Sequence, residues 1–415
     1  MPVFQPMKVR VPRDLRPVTI IADDVENAAA RAGLSAADTQ AIESALKGLY
    51  RTGAYPGIAF TLRRHGELVF DRSIGHASGN GPADAAGVPK RLLTPETPIC
   101  LFSASKAVTA VLVHKLAEDG GIRLDQRVSH YLPEFGQAGK QDTTISDVLA
   151  HRGGFPMMKI KAADKKVELM EDWDRVIQLI CASPPTASRQ QAYHAMTGGF
   201  ILGEVIKRVT GTPITEYLDA QIRKPLKFKH FTYGIAKKNW PQVALNYEAG
   251  APVRFPLSTV AERALFVPFP EVVRASNTDS FKQAVIPAGN IYATADELGR
   301  FFQMLLDGGV ANGKRILKPE TVARLRRPVG RIGIDRMLMI PLQYSEGMML
   351  GARPAGLYGP NTPDAYGHLG FMNILGWADP SRHLSAALLT TGKAILGTHL
   401  VALGRLLAVI NSRCA

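Results

Sequence analysis

The stretch Phe371-Met372-Asn373-Ile374-Leu375-Gly376-Trp377-Ala378, then Asp379-Pro380-Ser381-Arg382-His383, then Leu384-Ser385-Ala386-Ala387-Leu388-Leu389-Thr390-Thr391, decides the fold. Two apolar runs of strand length flank a tetrapeptide, Asp379 to Arg382, rich in turn formers, so the segment predicts strands over Phe371 to Ala378 and Leu384 to Thr391. An amphipathic helix follows from Ile395 to Ile410, with Leu396, Leu400, Leu403, Leu407 and Ile410 assigned to one face. The other end of the chain repeats the pattern. Ser35 caps a helix running to about Thr52, with Asp38 completing a capping-box-like pair. Ile58-Ala59-Phe60-Thr61-Leu62 alternates as a strand, Arg64-His65-Gly66-Glu67 turns, and Leu68-Val69-Phe70 returns. The sequence therefore predicts an α/β (α+β) protein whose antiparallel sheet is built from both chain termini and flanked by helices, with a mostly helical domain inserted between.

At 415 residues the chain suits two domains or one domain with a large insertion. Residues 1–34 read as an irregular N-terminal arm, 35–110 with 285–415 as the sheet domain, and 111–284 as the helical domain carrying active-site loops. Short helices are expected at Thr144 to Ala150 and Thr197 to Thr210, the second stopped by Gly211-Thr212-Pro213. The polar stretch Lys159 to Gln191 has the make-up of a lid, and Glu248 to Thr278, with prolines and aromatics but no period, reads as an ordered loop over a cleft. Thr294 caps a helix through Leu306 that Gly308-Gly309 ends.

Composition excludes several classes of function. Three cysteines, Cys100, Cys181 and Cys414, are too few and too scattered for a disulfide framework. Met1 to Pro17 lacks the apolar core of a signal peptide, no segment is long and apolar enough to span a membrane, and cytoplasm is the expected compartment. The formal net charge of +14 suits an acidic partner or an anionic surface. The densest basic cluster, Lys159 to Lys166, is short and has no interleaved aromatics, so nucleic-acid binding is not expected. No His-Glu-x-x-His or Cys-x-x-Cys occurs, so neither metal nor cofactor is expected. Gly308 to Lys314 has phosphate-loop spacing but follows a helix and precedes Arg315, and reads as a turn. The nucleophile-elbow pattern Gly-x-Ser-x-Gly is missing.

One stretch does carry chemistry. Cys100-Leu101-Phe102-Ser103-Ala104-Ser105-Lys106 opens an apolar run, Ala107 to Leu116, that stops at Asp119-Gly120-Gly121 and reads as a buried helix. Residues three apart share a helix face, so Ser103 and Lys106 can be neighbours at its first turn. A hydroxyl needs a base to become a nucleophile, and a desolvated lysine can supply one. Spacing alone is weak support, since Ser44-Ala45-Leu46-Lys47 repeats it on an amphipathic helix where it reads as a polar face. Two downstream stretches supply partners: Tyr193-His194-Ala195 and His368-Leu369-Gly370. A phenol beside the Lys106 ammonium would have its pKa lowered and could serve as phenolate base or proton shuttle. A glycine at a strand edge lets an acyl group approach backbone N–H groups.

With Ser103-Ala104-Ser105-Lys106, Tyr193-His194-Ala195 and His368-Leu369-Gly370 in this order, the chain resembles the serine β-lactamase and penicillin-binding protein superfamily over residues 45–410. Within it the class C β-lactamase-like carboxylesterases called family VIII are the nearest likeness. The stretches His151 to Pro156, Pro287-Ala288-Gly289 and Trp377-Ala378-Asp379-Pro380 look like the family as well. The resemblance implies a β-lactamase/transpeptidase-like fold and two-step acyl transfer. Ser103 would attack the carbonyl with help from Lys106 and Tyr193, and the N–H groups of Ser103 and Phe371 would form the oxyanion hole beside His368 and Gly370. Lys106 would need its pKa lowered from about 10.4 towards 7, at roughly 4 kcal/mol.

The departures from the family pattern narrow this expectation. Ala195 stands where β-lactamases place an asparagine amide, and His368 stands where they place a lysine that helps bind the β-lactam carboxylate. A neutral imidazole is a poor anion clamp. The expected activity is hydrolysis of small, uncharged carboxylic esters, with a β-lactamase, D-aminopeptidase or acyltransferase of the same fold as the alternative and a non-catalytic binding protein as a third reading. Met337-Leu338-Met339 and Met348-Met349-Leu350 are assigned to packing ahead of an acyl pocket.

Overall fold

The computed structural model describes residues 7–22, 28–160 and 167–415. Its centre is an eight-stranded antiparallel sheet. The strands, in chain order, are β1 (Thr19–Ile21), β2 (Gly57–Arg64), β3 (Glu67–Ser78), β4 (Met349–Leu350), β5 (Tyr366–Gly370), β6 (Ile374–Asp379) and β7 (Leu384–Thr390), with Arg91–Leu92 paired to β3 at the side. Their spatial order is β1-β3-β2-β7-β6-β5-β4. The termini therefore meet at β2 and β7, where Ile58 lies opposite Thr390 and Arg64 opposite Leu384.

The helices that frame the sheet and the site are α1 (Ala36–Tyr50), α2 (Ser105–Glu118), α3 (Trp173–Ala182), α4 (Thr197–Thr210), α5 (Leu257–Leu265), α6 (Phe269–Ala275), α7 (Ala295–Leu306) and α8 (Thr398–Arg413). Ser35 and Thr294 each accept from the third backbone N–H of α1 and α7, while Asp38 and Glu297 bond back, so both starts are closed capping boxes worth about 1 kcal/mol each. Alternation along the strands then sorts the two faces. Ile58, Phe60, Leu62, Leu375, Trp377 and Leu388 pack with α1 and α8, whereas Ala59, Ile374, Ala387 and Leu389 join α7, α2 and α4 in a second core. Both faces are covered, so every central strand is buried.

The structure corrects several sequence readings. Phe371, Met372 and Asn373 form the β5–β6 turn, with Met372 and Asn373 at positive φ, and the strand begins only at Ile374. The apolar Phe371 and Met372 hid that turn. The segment read as a loop over a cleft holds α5 and α6, two short helices masked by prolines. The last helix starts at Thr398, so it buries Leu403, Leu406, Leu407 and Ile410, while Leu396 and Leu400 are exposed. The arm read as irregular contributes β1, which pairs with β3 at the sheet edge. Within the stretch assigned to a lid, α3 is a packed helix with Val176, Ile177 and Ile180 buried. Residues 161–166, which hold most of the basic cluster, lie outside the described residues.

Candidate active site

Ser103 sits on a single 3-10 turn, Phe102–Ala104, directly before α2. Phe102 takes φ +46°, a region costly for a bulky residue, and such strain persists only where neighbours enforce it. The neighbours are Phe281, Phe371 and Lys393, with ring centroids 6.5 and 5.1 Å away for the two phenylalanines and Lys393 Nζ 4.9 Å from the Phe102 ring. The helical rise then brings Lys106 Nζ to 3.0 Å from Ser103 Oγ.

Lys106 is buried and donates a second bond, 2.8 Å, to the Ala288 carbonyl. That carbonyl belongs to the Pro287-Ala288-Gly289 turn, which α4 approaches at Gly199; a Cβ there would lie 2.6 Å from Ala288 N. With no carboxylate beside it, burial drives the Lys106 amine well below the ordinary lysine range. The neutral form is the basic one.

Tyr193 lies on the other side of the nucleophile. Its hydroxyl shares a hydrogen bond with Ser103, and its ring lies 4.9 Å from Lys106 Nζ. Burial raises the phenol above its ordinary value; the Ser103 bond works against the rise and the Asp335 charge adds to it. The expectation of a lowered phenol is thereby reversed, because burial pushes the amine down and the phenol up.

Three imidazoles surround this pair. His194 hydrogen-bonds the Ala192 carbonyl through Nδ1, so Nδ1 carries the proton and Nε2 accepts from Phe155 N–H. Its own backbone N–H donates to His151 Nδ1 at 3.0 Å. Burial lowers His194 and His368 to about 3 and takes His151 well below its usual value. None adds a positive charge that would compete with the lysine.

The two strand-edge residues expected at the site separate. Gly370 and Phe371 line the cavity over Ser103, and a Cβ on Gly370 would lie 2.4 Å from the Leu101 carbonyl, so the end of β5 can press on the nucleophile turn only as glycine. His368 is instead outside the cavity wall. Its ring stands 6.2 Å from that of Tyr193, Nδ1 bonds the Leu369 carbonyl at 2.8 Å, and Nε2 has no partner among the described residues. In this position the imidazole backs the phenol.

Sequence reasoning missed Asp335 and Lys393. Fully buried Asp335 accepts from the N–H groups of Tyr193, Met337 and Leu338 and from the Tyr344 hydroxyl, at 2.9 to 3.2 Å, and so fixes the backbone that carries the phenol. It is 142 residues from Tyr193 in sequence, and no local pattern marks it. Lys393 donates to the Thr390 carbonyl, and burial lowers it to about 7, with Cys100 opposing. All three cysteines are free and buried.

Ser103 opens into an apolar cavity of about 180 Å³ walled by Ile160, Met170, Ala195, Ala264, Phe266, Val272, Leu338 and Met349. Among the described residues no charged side chain lines it. Leu338 and Met349, assigned to packing from sequence, serve as wall as well as core. Among the described residues no three His, Cys, Asp or Glu side chains gather as a metal site, and no helix is long and apolar enough to cross a membrane.

Comparison with known proteins settles the family. A model of the family described as beta-lactamase matches residues 39–406. The chain belongs to the beta-lactamase family. As a family member, it shares the fold of a penicillin-binding protein homologue from Caulobacter crescentus, with a TM-score of 0.78, 25% identity, and 92% of this chain and 99% of that one covered. A family VIII carboxylesterase superposes with a TM-score of 0.75 and 26% identity over the same shares. Among curated proteins this beta-lactamase-family chain is 29% identical over 299 residues to "Esterase/beta-lactamase LipL" of Mycobacterium tuberculosis, covering 69% of this chain and 68% of the relative. It is a hydrolase of the β-lactamase fold, and the resemblance read from its motifs is borne out.

Proposed function

We propose that this chain is a serine carboxylesterase that cleaves uncharged esters through an acyl-enzyme on Ser103. The observation that carries the reading is the Lys106–Ser103–Tyr193 contact opening into a cavity that no charged side chain lines among the described residues. Neutral Lys106 takes the Ser103 proton as Oγ bonds to the ester carbonyl carbon. The N–H groups of Ser103 and Phe371 receive the oxyanion. The tetrahedral intermediate collapses, the carbonyl–alkoxy bond breaks, and Tyr193 gives its proton to the departing alkoxide while recovering one from the Lys106 ammonium. Water then attacks the acyl-enzyme by the same route in reverse, releasing the acid and restoring the serine hydroxyl.

The cavity wall favours esters over the family's alternatives. A β-lactam or a peptide tail brings a carboxylate, and burying one among Met170, Phe266, Leu338 and Met349, where the described residues supply no cation, costs several kcal/mol. An apolar acyl chain gains about 25 cal/mol for each Å² it buries there. The names of LipL and of the family VIII carboxylesterase point to ester chemistry in those proteins. The test is intact-mass analysis after mixing with p-nitrophenyl butyrate at low pH, followed by peptide mapping. A butyryl adduct on Ser103, lost in Ser103→Ala along with roughly 10⁵-fold or more of the turnover, is expected. An adduct elsewhere, or faster turnover of a chromogenic cephalosporin, would overturn the assignment.

A further inference from the structure

The rim of the cavity carries a hairpin with exposed apolar side chains. Residues 333–334 and 341–342 pair as a short antiparallel hairpin, and its tip is closed by Asp335 N–H to Ile340 O and Met339 N–H to Asp335 O at 2.9 and 2.8 Å. Asp335 is the same carboxylate that fixes Tyr193, so the hairpin is tied to the site. Leu338 turns inward to wall the cavity. Its neighbours turn outward: Ile332, Ile334, Met339 and Ile340 are 50, 57, 59 and 38% exposed. Four large aliphatic chains within nine residues make a local apolar patch, and such patches on soluble proteins mark contact surfaces.

Arginine predominates in the sequence around this patch. From Thr321 to Ser345 there are five arginines and a single acid, the buried Asp335. Arg324 is paired with Glu346 and Arg326 lies over the Tyr366 ring, but Arg327, Arg331 and Arg336 are exposed and have no ion-pair partner among the described residues. Aliphatic tips flanked by unpaired arginines match one environment, the boundary between anionic headgroups and acyl chains. There the apolar chains leave water while each cation near the surface adds about 1 kcal/mol. A second copy of the chain would set arginine against arginine across a two-fold contact, and a nucleic acid would find no aromatic faces to stack on.

We propose that the 332–340 hairpin docks the protein on an anionic lipid surface, seating the mouth of the apolar cavity against the bilayer. The formal net charge of +14 favours the same approach from a distance. Docking rests on exposed side chains and holds whether or not Ser103 is the nucleophile.

Co-sedimentation with large vesicles tests it. The full chain should pellet with phosphatidylglycerol vesicles at low salt and only weakly with phosphatidylcholine. Arg331→Gln with Arg336→Gln should weaken binding at least tenfold, roughly fivefold per arginine removed. Ile334→Ser with Met339→Ser should weaken it similarly, and Ser103→Ala should bind as the parent does. Phe255→Ser with Val401→Ser, placed on separate exposed apolar residues, should bind unchanged. Failure of the parent to pellet with phosphatidylglycerol overturns the proposal. So does binding lost in the Phe255/Val401 variant but kept in the hairpin variants, or a dimer that the hairpin variants dissociate without any vesicle binding.

Discussion

An amine held in an apolar interior without a counter-ion gives up its proton, and at Lys106 that cost becomes reactivity. The sign of the resulting pH dependence is fixed. The neutral amine is the active form, so kcat/KM for p-nitrophenyl butyrate should rise as pH climbs through the lowered lysine pKa and level off well below the value near 10.4 of a free lysine. Tyr193→Phe should keep that acidic limb and lower its plateau by roughly 10² to 10⁴, because the phenol delivers a proton without setting the charge of the base. A limb near pH 10, or one that moves when the phenol is removed, would return the role of base to Tyr193. Serine and lysine were legible because three-residue spacing on a helix is a local fact. Asp335 was not, since its bond to Tyr193 N–H spans 142 residues and depends on a hairpin closing elsewhere.

Elements were readable where capping and period agreed. α1 and α7 begin at the Ser35 and Thr294 boxes, and α4 ends at Gly211 with φ +68°, as spacing and glycine placement indicate. Reading failed where composition disguised geometry, as with the prolines that conceal α5 and α6 and the apolar pair Phe371-Met372 that, with Asn373, forms a turn. That turn matters for chemistry, because β5 must finish against the nucleophile. In Gly370→Ala the new carbon would meet the Leu101 carbonyl at 2.4 Å, and strand and turn would have to part. A stability loss of about 1–3 kcal/mol in urea titration should accompany a fall in kcat of roughly 10²-fold, the scale set by an ångström of misplacement. Unchanged kcat would show that this contact does not position the site.

The fold class was legible across the whole molecule because each terminus carries its own hairpin and helix; their meeting at β2 and β7 is what the sequence pattern implied. The buried amines also set a property of the whole molecule. Lys393 titrates at about 7 when folded and near 10.4 when unfolded, so between those values the unfolded chain holds a proton the folded one lacks, and stability rises with pH. Thermal and urea unfolding from pH 7 to 10 should show Lys393→Met losing about 1.4 kcal/mol per pH unit of that rise relative to the parent. Equal slopes would mean that Lys393 keeps its proton in the core. The sheet order has one more consequence, for biosynthesis. β7 is the last strand of the sheet to leave the ribosome, yet it lies between β2 and β6 at the middle of that sheet. A nascent chain halted before residue 384 holds two half-sheets without the strand that joins them, so closure of the sheet waits for that strand.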